Sequence, residues 1–391
     1  MTPAARVQAA IEILDEVIAS ARDDGPSADS IVTRYFKTRR YAGSKDRRAV
    51  RELVFRAIRA VAERPETGRA AVLALARSDP SLVELFGEPR GPELLIDGES
   101  TAEPGVVPAW LSSELSSLVG PDEWPALLER AALDLRVNIA RTNREKILPR
   151  FDGAQPTPLS PWGIRLPADS RVDDHPAFAE GLVEVQDEGS QLIALACTPL
   201  ERGNVLDLCA GAGGKSLALA SAAPDAQILA TDSNRSRLSK LQPRADRAGA
   251  TIGVRLLNPP HELEELSDVR GQADLVLVDA PCSGSGTWRR NPEGRWRLTP
   301  ERLDRVVALQ SRLLDMAAEL VRPGGRIVYA VCSLLSREGA GQIEHFLSRR
   351  SSWIAEETPF AAGRLDGVGK LLTPRHDGTD GFFVARLVRP C

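Results

Sequence analysis

The feature that most constrains the fold is a regular alternation of short apolar strands with amphipathic helices, which begins at about residue 181. Such alternation is typical of a mostly parallel, doubly wound sheet, in which ligands bind beyond the carboxyl ends of the strands. The apolar runs predict strands at 205–208, 228–231, 252–257, 275–278, 327–331 and 382–388. Helical spacing of apolar residues predicts helices at 216–222, 235–248, 300–321 and 338–349.

The residues before this region follow other patterns. Apolar residues recur at helical spacing over 6–18 and 50–61, which predicts helices in the amino-terminal part. A strand predicted at 135–139 is followed by a short helical segment. We therefore divide the 391 residues into a helical domain and linker (1–135), a small α+β module (136–180) and an α/β domain (181–391).

One segment of the helical part is strongly basic. Residues 31–60 contain ten Lys or Arg and two acidic residues, a local charge of +8, although the whole chain has a formal net charge of -4. Tyr35, Phe36 and Tyr41 lie among these charges. Such a run is typical either of a solvated helical face or of a surface that contacts the phosphate backbone of a nucleic acid.

Composition excludes several classes of protein. No apolar run approaches the roughly 18 residues that a membrane span needs, and Arg6 and Glu12 interrupt any secretory signal pattern, so we expect a cytoplasmic protein. The five cysteines are an odd number without a C-x-x-C pair. We therefore expect reduced thiols, and neither a disulfide framework nor a bound metal.

A glycine-rich turn follows the first predicted strand of the α/β domain and reads DLCAGAGGKS over 207–216. Glycine lets the backbone of this turn approach a ligand closely, and the helix that follows offers free N–H groups. The turn is therefore suited to ligand binding. A triphosphate loop needs glycine at the position of Cys209, and a dinucleotide fingerprint needs glycine at that of Ser216. S-adenosylmethionine remains, and Asp232, 21 positions after Gly211, is placed to accept hydrogen bonds from its ribose. Alternatively, Asp232 only caps the following helix.

Two cysteines follow neighbouring strands of the predicted sheet. Cys282 lies in VDAPCSGSGT (278–287) and Cys332 lies in YAVCS (329–333). The carboxyl ends of adjacent parallel strands share one edge of a sheet, where active sites lie. We interpret Cys197 and Cys209 instead as small buried hydrophobic side chains.

These segments resemble the RNA cytosine-5 methyltransferases, in particular the bacterial Fmu/Sun (RsmB-like) branch that modifies small-subunit ribosomal RNA. The matching stretches lie in order at 183–194, 205–216, 275–296, 321–339 and 380–387. Residues 35–59 also resemble the NusB-like helical RNA-binding domain of that branch. The resemblance implies a Rossmann-like class I methyltransferase domain preceded by an all-α NusB-like domain and a small α+β module.

The expected chemistry agrees with this resemblance. Carbon 5 of cytosine is too weak a nucleophile to attack a methyl sulfonium, so a thiolate first adds to carbon 6 and pushes electron density onto carbon 5. In DNA cytosine methyltransferases the Pro-Cys thiol is this nucleophile, whereas in the RNA family the later cysteine takes the role. By resemblance we predict Cys332 as the nucleophile and Cys282 as the residue that assists proton removal or product release. Asp279 is predicted to bind the Watson–Crick edge of the base.

The resemblance also carries cofactor contacts over to this sequence. The residues expected to bind S-adenosylmethionine are Cys209, Ala210, Gly211, Ala212, Gly213, Gly214, Lys215, Asp232, Asn258 and Asp279. Asn258 departs from the family, which usually has an acid there to hold the adenine amino group. Its carbonyl oxygen can still accept a hydrogen bond.

Arginine and aromatic residues also follow the Cys282 motif. Over 288–297 they form either an ordinary packed loop or a surface that stacks on bases and binds phosphates, and we favour the second because a target base must be unstacked. The residues predicted to contact RNA are Arg39, Arg40, Lys45, Arg47, Arg48, Arg289 and Arg290.

We therefore predict a monomeric enzyme that methylates carbon 5 of a cytosine in RNA, with 16S rRNA as the expected substrate. Two alternatives stay open at this point. A nicotinamide-dependent oxidoreductase would share the glycine loop and Asp232, but it would leave both cysteine motifs without a role. A catalytically silent RNA-binding assembly factor would use only the NusB-like domain.

Overall fold

A computed structural model describes residues 1–167, 170–200 and 202–391. Fifteen helices lie within these residues: α1 (Pro3–Arg22), α2 (Ala28–Lys37), α3 (Ser44–Ala60), α4 (Gly68–Ala76), α5 (Arg144–Ile147), α6 (Pro176–Ala179), α7 (Glu188–Ala196), α8 (Gly214–Ala222), α9 (Arg235–Leu238), α10 (Leu241–Ala248), α11 (Glu262–Glu265), α12 (Gly294–Arg297), α13 (Pro300–Leu320), α14 (Ala340–Arg349) and α15 (Pro374–Asp377). The same described ranges contain thirteen strands: β1 (Leu133–Val137), β2 (Gln155–Pro156), β3 (Gly163–Leu166), β4 (Val183–Val185), β5 (Arg202–Asp207), β6 (Asp225–Asp232), β7 (Gly253–Leu256), β8 (Ala273–Asp279), β9 (Val321–Val331), β10 (Ile354–Glu356), β11 (Arg364–Asp366), β12 (Gly369–Leu372) and β13 (Phe382–Val388).

The chain forms two compact units. The helical unit comprises Met1–Leu115, Gly120–Arg130 and Thr287–Pro300. The sheet unit comprises Ser116–Val119, Ala131–Gly286 and Glu301–Cys391. This grouping joins the predicted α+β module to the predicted α/β domain. It also places Thr287–Pro300, which contains the end of the Cys282 motif and the loop after it, in the helical unit.

Four amphipathic helices build the core of the helical unit. Helix α1 begins at Pro3, where a missing N–H costs nothing, and the Thr2 side chain accepts a hydrogen bond from Ala5 N–H. Its apolar positions, such as Ile13, Leu14 and Val17, are fully buried among residues of α2, α3 and α4. The helices predicted at 6–18 and 50–61 are thereby confirmed.

The large sheet of the sheet unit has a parallel centre. Its strand order is β11-β12-β13-β9-β8-β5-β6-β7, with β10 paired to β13. The pairs from β9 to β7 are parallel, whereas β10 to β13 add antiparallel strands at one side. The prediction of a mostly parallel sheet is confirmed for the five strands that carry the predicted site. In particular, β8 and β9 are neighbours, so the residues that follow them lie at one sheet edge.

The helix predicted at 235–248 is wrong in one respect, because it is two helices, α9 and α10. Pro243 cannot donate a hydrogen bond to a preceding carbonyl, and its ring would clash with the carbonyl of residue 239 in a continuous helix. The chain therefore restarts at Leu241, with Pro243 in the first turn of α10.

The second sheet of the sheet unit is small and antiparallel, with the order β2-β3-β1-β4. Its apolar side chains form their own core around Leu135, Val137 and Ile164, all fully buried. Its strands extend from Leu133 to Val185, beyond both bounds of the α+β module predicted at 136–180. Among the described residues, no helix is both long and apolar enough to cross a membrane.

Candidate active site

The glycine turn connects β5 to α8 at the carboxyl edge of the parallel strands. Gly211 has a φ of 56° and Gly213 a φ of 82°, in the left-handed region that favours glycine. A Cβ at Gly213 would lie 2.5 Å from the Leu241 side chain, so the turn also needs glycine for space. A Cβ at Gly214 would meet no heavy atom within 4 Å. The first residue of α8 therefore borders open space at a helix amino terminus.

Asp232 ties this turn to the end of β6. Its carboxylate accepts hydrogen bonds from Gly211 N–H at 2.7 Å and from Asn234 N–H at 2.6 Å, and the residue is 7% exposed. The alternative in which Asp232 caps the following helix is wrong, because Asn234 is the N-cap of α9 and accepts from Arg237 N–H. Asp232 is thus an ordered carboxylate beside the glycine turn.

Asp207 lies beneath the turn, and sequence reasoning gave it no role. It is fully buried at the end of β5, and the Ser216 hydroxyl donates to it at 2.6 Å. Burial raises the pKa of Asp207 to about 7. In the sequence, Asp207 is a polar residue at the end of a predicted strand, which could have marked it as a candidate site residue. Only the fold shows that its side chain points into the protein.

Lys215 and Asp279 form an ion pair across the site. The Lys215 ammonium lies 2.7 Å from the Asp279 carboxylate, and it lies 5.4 Å from the centre of the Phe382 ring. Burial acts to lower the pKa of Lys215, but the charge of Asp279 and the hydrogen bond outweigh it, so the pKa is raised. Lys215 is therefore a buried ammonium paired with Asp279.

The two predicted cysteines meet at this edge. The Cys282 and Cys332 sulfurs are 3.3 Å apart, and Gly286 N–H donates to the Cys332 carbonyl at 3.0 Å. The sulfur contact is the largest cause that raises the pKa of Cys282 well above its usual value, followed by burial. The Cys282 sulfur is therefore held as a thiol in contact with the Cys332 sulfur.

The other three cysteines differ from this pair. Cys197 is 3% exposed in the core of the sheet unit, and burial raises its pKa. Cys209, within the glycine turn, also has a pKa raised well above its usual value by burial. Cys391 is exposed. Burial in apolar surroundings keeps a thiol protonated and unreactive, which agrees with the interpretation of Cys197 as a buried hydrophobic side chain. Cys209 is only half-buried, so its interpretation as a small buried hydrophobic side chain is wrong.

Asn258 has a fixed orientation after β7. The Glu265 carboxylate accepts hydrogen bonds from both the backbone N–H (2.8 Å) and the side-chain Nδ2 (2.6 Å) of Asn258. A carboxylate can only accept, so the amide nitrogen must face Glu265. The Asn258 Oδ1 is then the atom left to accept a hydrogen bond from a ligand.

The predicted RNA-binding residues of the basic segment lie on α3 and on the turn before it. Arg40, Lys45, Arg47 and Arg48 are exposed. Arg39 is only half-buried; its guanidinium stacks 3.6 Å above the Tyr35 ring and lies 3.5 Å from Glu12. Four of the five side chains therefore present positive charge to solvent from one turn and helix.

The arginine–aromatic cluster after Cys282 is mostly not a surface. Trp288, Arg295 and Trp296 are each 1% exposed. Trp296 joins the core of the helical unit, and the Arg295 guanidinium donates to the carbonyls of Ile58 and Val106 at 2.6 Å each. These side chains form a packed loop, and the interpretation of the whole cluster as a base-stacking surface is wrong.

The two arginines predicted from this cluster have different surroundings. Arg289 is 9% exposed, so its burial contradicts its prediction as a surface contact for phosphate. Arg290 is exposed and stays a candidate. The physical reason is that α12 and its flanking turns must fill the helical core, which leaves only part of the loop to solvent.

The sheet unit also contains a cavity of about 750 Å³ away from this chemistry. It is lined by residues at the amino ends of the strands, among them Asn204 of β5, Asp225 of β6 and Ala273 of β8. None of the predicted site residues lines it. Because ligands of doubly wound sheets bind at the carboxyl ends, we take the cysteine edge rather than this cavity as the candidate site.

Comparison with known proteins adds independent information. Residues 193–388 match the family model described as 16S rRNA methyltransferase RsmB/F. The chain is 33% identical over 290 residues to proteins named ribosomal RNA small subunit methyltransferase B from Salmonella arizonae and Salmonella typhi. Each match covers 72% of this chain and 66% of the relative, just under two thirds of its length.

Solved structures show the same fold. The crystal structure of PH0851 matches with a TM-score of 0.76 and 23% identity over 99% of both chains. A methyltransferase homolog protein from Pyrococcus horikoshii matches with a TM-score of 0.61 and 25% identity, over 71% of this chain and 92% of that chain. The structure of NSun6 from Pyrococcus horikoshii with SFG matches with a TM-score of 0.60 and 19% identity, over 68% of this chain and 92% of that chain.

Proposed function

The chain belongs to the RsmB/F family of 16S rRNA methyltransferases, and from this premise we propose that it transfers a methyl group to carbon 5 of a cytosine in 16S rRNA. The observation that carries the proposal is the pair of cysteine sulfurs, 3.3 Å apart at the carboxyl ends of two adjacent parallel strands. A nicotinamide oxidoreductase has no use for this pair, whereas addition of a thiolate to a pyrimidine requires one sulfur and gains from a second proton carrier.

S-adenosylmethionine is the cofactor of this family, and it supplies an electrophilic methyl group when bound. The residues around the glycine turn fit it. The open space at Gly214 borders backbone N–H groups that suit a carboxylate. Asp232 offers carboxylate oxygens to ribose hydroxyls, and Asn258 offers Oδ1 to an adenine amino group. These contacts bind a carboxylate, a ribose and an adenine, and none of them requires a pyrophosphate.

Cys332 acts as the nucleophile in this proposal. Its sulfur adds to carbon 6 of the cytosine, and carbon 5 then becomes electron-rich enough to take a methyl group. Cys282 assists the last step, either as a thiolate that accepts the carbon 5 proton or as a thiol that protonates the departing Cys332 sulfur. The charged Asp279 accepts hydrogen bonds from the Watson–Crick edge, and Lys215 compensates the negative charge on this side of the site.

A direct assay tests the function. Purified protein is incubated with S-adenosylmethionine labelled in the methyl group and with 16S rRNA, and methylated cytosines are mapped by sequencing. We expect 5-methylcytosine at a defined position of 16S rRNA. If no RNA becomes labelled, whether free or in assembling small subunits, the silent assembly factor becomes the better explanation.

Asp232→Asn should weaken cofactor binding. The substitution removes a charged acceptor from Gly211 N–H and from the ribose, and charge-assisted hydrogen bonds each contribute about 1.5–3 kcal/mol. We therefore expect the dissociation constant of S-adenosylhomocysteine, measured by calorimetry, to rise about 10- to 100-fold. Asp246→Asn on α10, where the carboxylate accepts from Gln242, is the control and should leave the constant unchanged. Unchanged affinity of Asp232→Asn would show that Asp232 only orders the turn.

The basic segment should provide salt-dependent RNA affinity. Replacing Arg40, Lys45 and Arg48 by alanine removes three exposed charges. Each lost phosphate contact lowers the slope of log affinity against log salt by about 0.7–0.9. We expect weaker binding of a 16S rRNA fragment, with a slope smaller by about 2, in filter-binding titrations from low to moderate salt.

A matched variant controls for net charge. Arg22, Arg77 and Arg90 are also exposed in the helical unit but lie outside the basic segment. Their replacement by alanine removes the same charge and should change the slope little. Equal effects of the two triple variants would mean that the basic segment is only a solvated helical face.

A further inference from the structure

Glu338 lies buried beneath both cysteine segments. It is 0% exposed, and it precedes α14 in the turn that follows β9. Burial of a carboxylate is costly unless its oxygens receive hydrogen bonds. Here the hydrogen-bond donors come from three separate segments of the sheet unit, so the side chain joins parts of the chain that are distant in sequence.

The two carboxylate oxygens bind different donors. Oε1 accepts from Ser283 N–H at 2.8 Å and from Gln310 Nε2 at 2.9 Å. Oε2 accepts from the Ser333 hydroxyl at 2.5 Å and from the Ser283 hydroxyl. Ser283 and Ser333 are the residues immediately after Cys282 and Cys332. One carboxylate therefore binds the residue next to each cysteine.

Other hydrogen bonds connect the same segments. The Ser285 hydroxyl lies 3.1 Å from that of Ser333 and accepts from Leu334 N–H at 2.9 Å. Gln310 Nε2 also donates to the carbonyl of Pro281 at 2.9 Å, and the Tyr329 hydroxyl donates to the carbonyl of Glu338 at 2.7 Å. Glu338 is thus part of a hydrogen-bond network that connects both cysteine segments.

We propose that Glu338 is a positioning residue, which holds the Cys282 and Cys332 sulfurs at the separation and orientation that methyl transfer requires. This inference rests on the proposed function, because it assigns no purpose to Glu338 without the two cysteines. Charge-assisted hydrogen bonds are shorter and stronger than neutral ones, so a carboxylate orders two segments better than a hydroxyl or an amide does. Misplacement of a reacting group by about 1 Å costs on the order of 100-fold in rate.

Two substitutions separate the hydrogen bonds from the charge. Glu338→Ala removes all four contacts. Glu338→Gln can keep them, because its oxygen can take the place of Oε1, where both donors are N–H groups, and its amide can donate to the two serine hydroxyls, which rotate. We expect kcat of Glu338→Ala to fall about 100-fold, with KM for RNA and S-adenosylhomocysteine affinity within about threefold of wild type. We expect Glu338→Gln to stay within about tenfold of the wild-type kcat.

Glu188→Gln is the matched control for a buried carboxylate. Glu188 is also 0% exposed and accepts from the N–H groups of Leu159 and Ser160, far along the chain from both cysteine segments. Its substitution should lower the melting temperature without the loss of kcat. If Glu338→Ala does not fold, the double variant Ser283→Ala, Ser333→Ala removes the two hydroxyl donors and should show the same separation of kcat from KM.

The possible outcomes are distinct. A loss of kcat in Glu338→Ala with rescue by Glu338→Gln supports positioning. A wild-type kcat in Glu338→Ala overturns the proposal. If Glu338→Ala is unfolded, a wild-type kcat in the double serine variant overturns it. If Glu188→Gln lowers kcat as much as the Glu338 variants do, the loss follows from reduced stability, and this result also overturns the proposal. A wild-type protein that methylates no RNA refutes the proposed function instead, which the direct methylation assay detects separately.

Discussion

Cys332→Ala should abolish methylation of RNA, with a loss of rate on the order of 10⁴-fold or more, as is typical when a covalent nucleophile is removed. Without this sulfur, nothing adds to carbon 6, and carbon 5 stays too electron-poor to accept a methyl group. The measurement is methyl transfer from labelled S-adenosylmethionine to 16S rRNA under single-turnover conditions. Cofactor affinity should be retained, because the glycine turn and Asp232 are unchanged.

Cys391→Ala is the matched control for this experiment. Cys391 is exposed and lies outside the site, so its replacement should leave methylation intact. Residual turnover of Cys332→Ala near the wild-type rate would contradict the assignment of the nucleophile. In that case Cys282 would be the sulfur that attacks the base.

Cys282→Ala should have a different effect, the accumulation of a covalent complex with RNA. Its sulfur lies 3.3 Å from that of Cys332, and its raised pKa keeps a proton at the point where the adduct must resolve. Without that group, Cys332 can still attack, but elimination of the enzyme from the methylated base is slow. The complex should appear as a protein band of reduced mobility that survives denaturation and disappears after ribonuclease treatment.

The double variant Cys282→Ala, Cys332→Ala distinguishes a true adduct from tight binding. It should form no denaturant-resistant complex, because no nucleophile remains. An adduct that accumulates in Cys332→Ala instead of Cys282→Ala would reverse the two roles. Formation of the complex at equal levels in both single variants would show that either sulfur can attack.

Much of the sheet unit is predictable because periodicity is a local property. The strand predicted at 382–388 has the observed bounds. Three of the other five lie within the observed strands, and two extend past them by one residue. The single helix predicted at 235–248 was wrong because the apolar pattern continues across Pro243, whereas the helical hydrogen bonds are interrupted there. The proximity of Cys282 and Cys332 followed from the rule that adjacent parallel strands end at one edge.

The arginine–aromatic loop was not predictable in the same way. Its composition matches a nucleic-acid surface, yet Trp288, Arg295 and Trp296 are buried. Their partners, such as Ile58 and Val106, are more than 180 residues away in sequence. No pattern within the loop contains this information, because a guanidinium group can bind backbone carbonyls as well as phosphates.

Residue type and short spacing were enough to predict the α/β class and to single out Cys282 and Cys332 at one edge of the sheet. Only the tertiary structure decided which charged groups are solvated and which are structural. It buried Arg289, left Arg290 exposed, paired Lys215 with Asp279, and brought Glu338 to both cysteine segments. The physical reason is that burial and hydrogen-bond partners arise from contacts between distant segments, which local patterns do not encode.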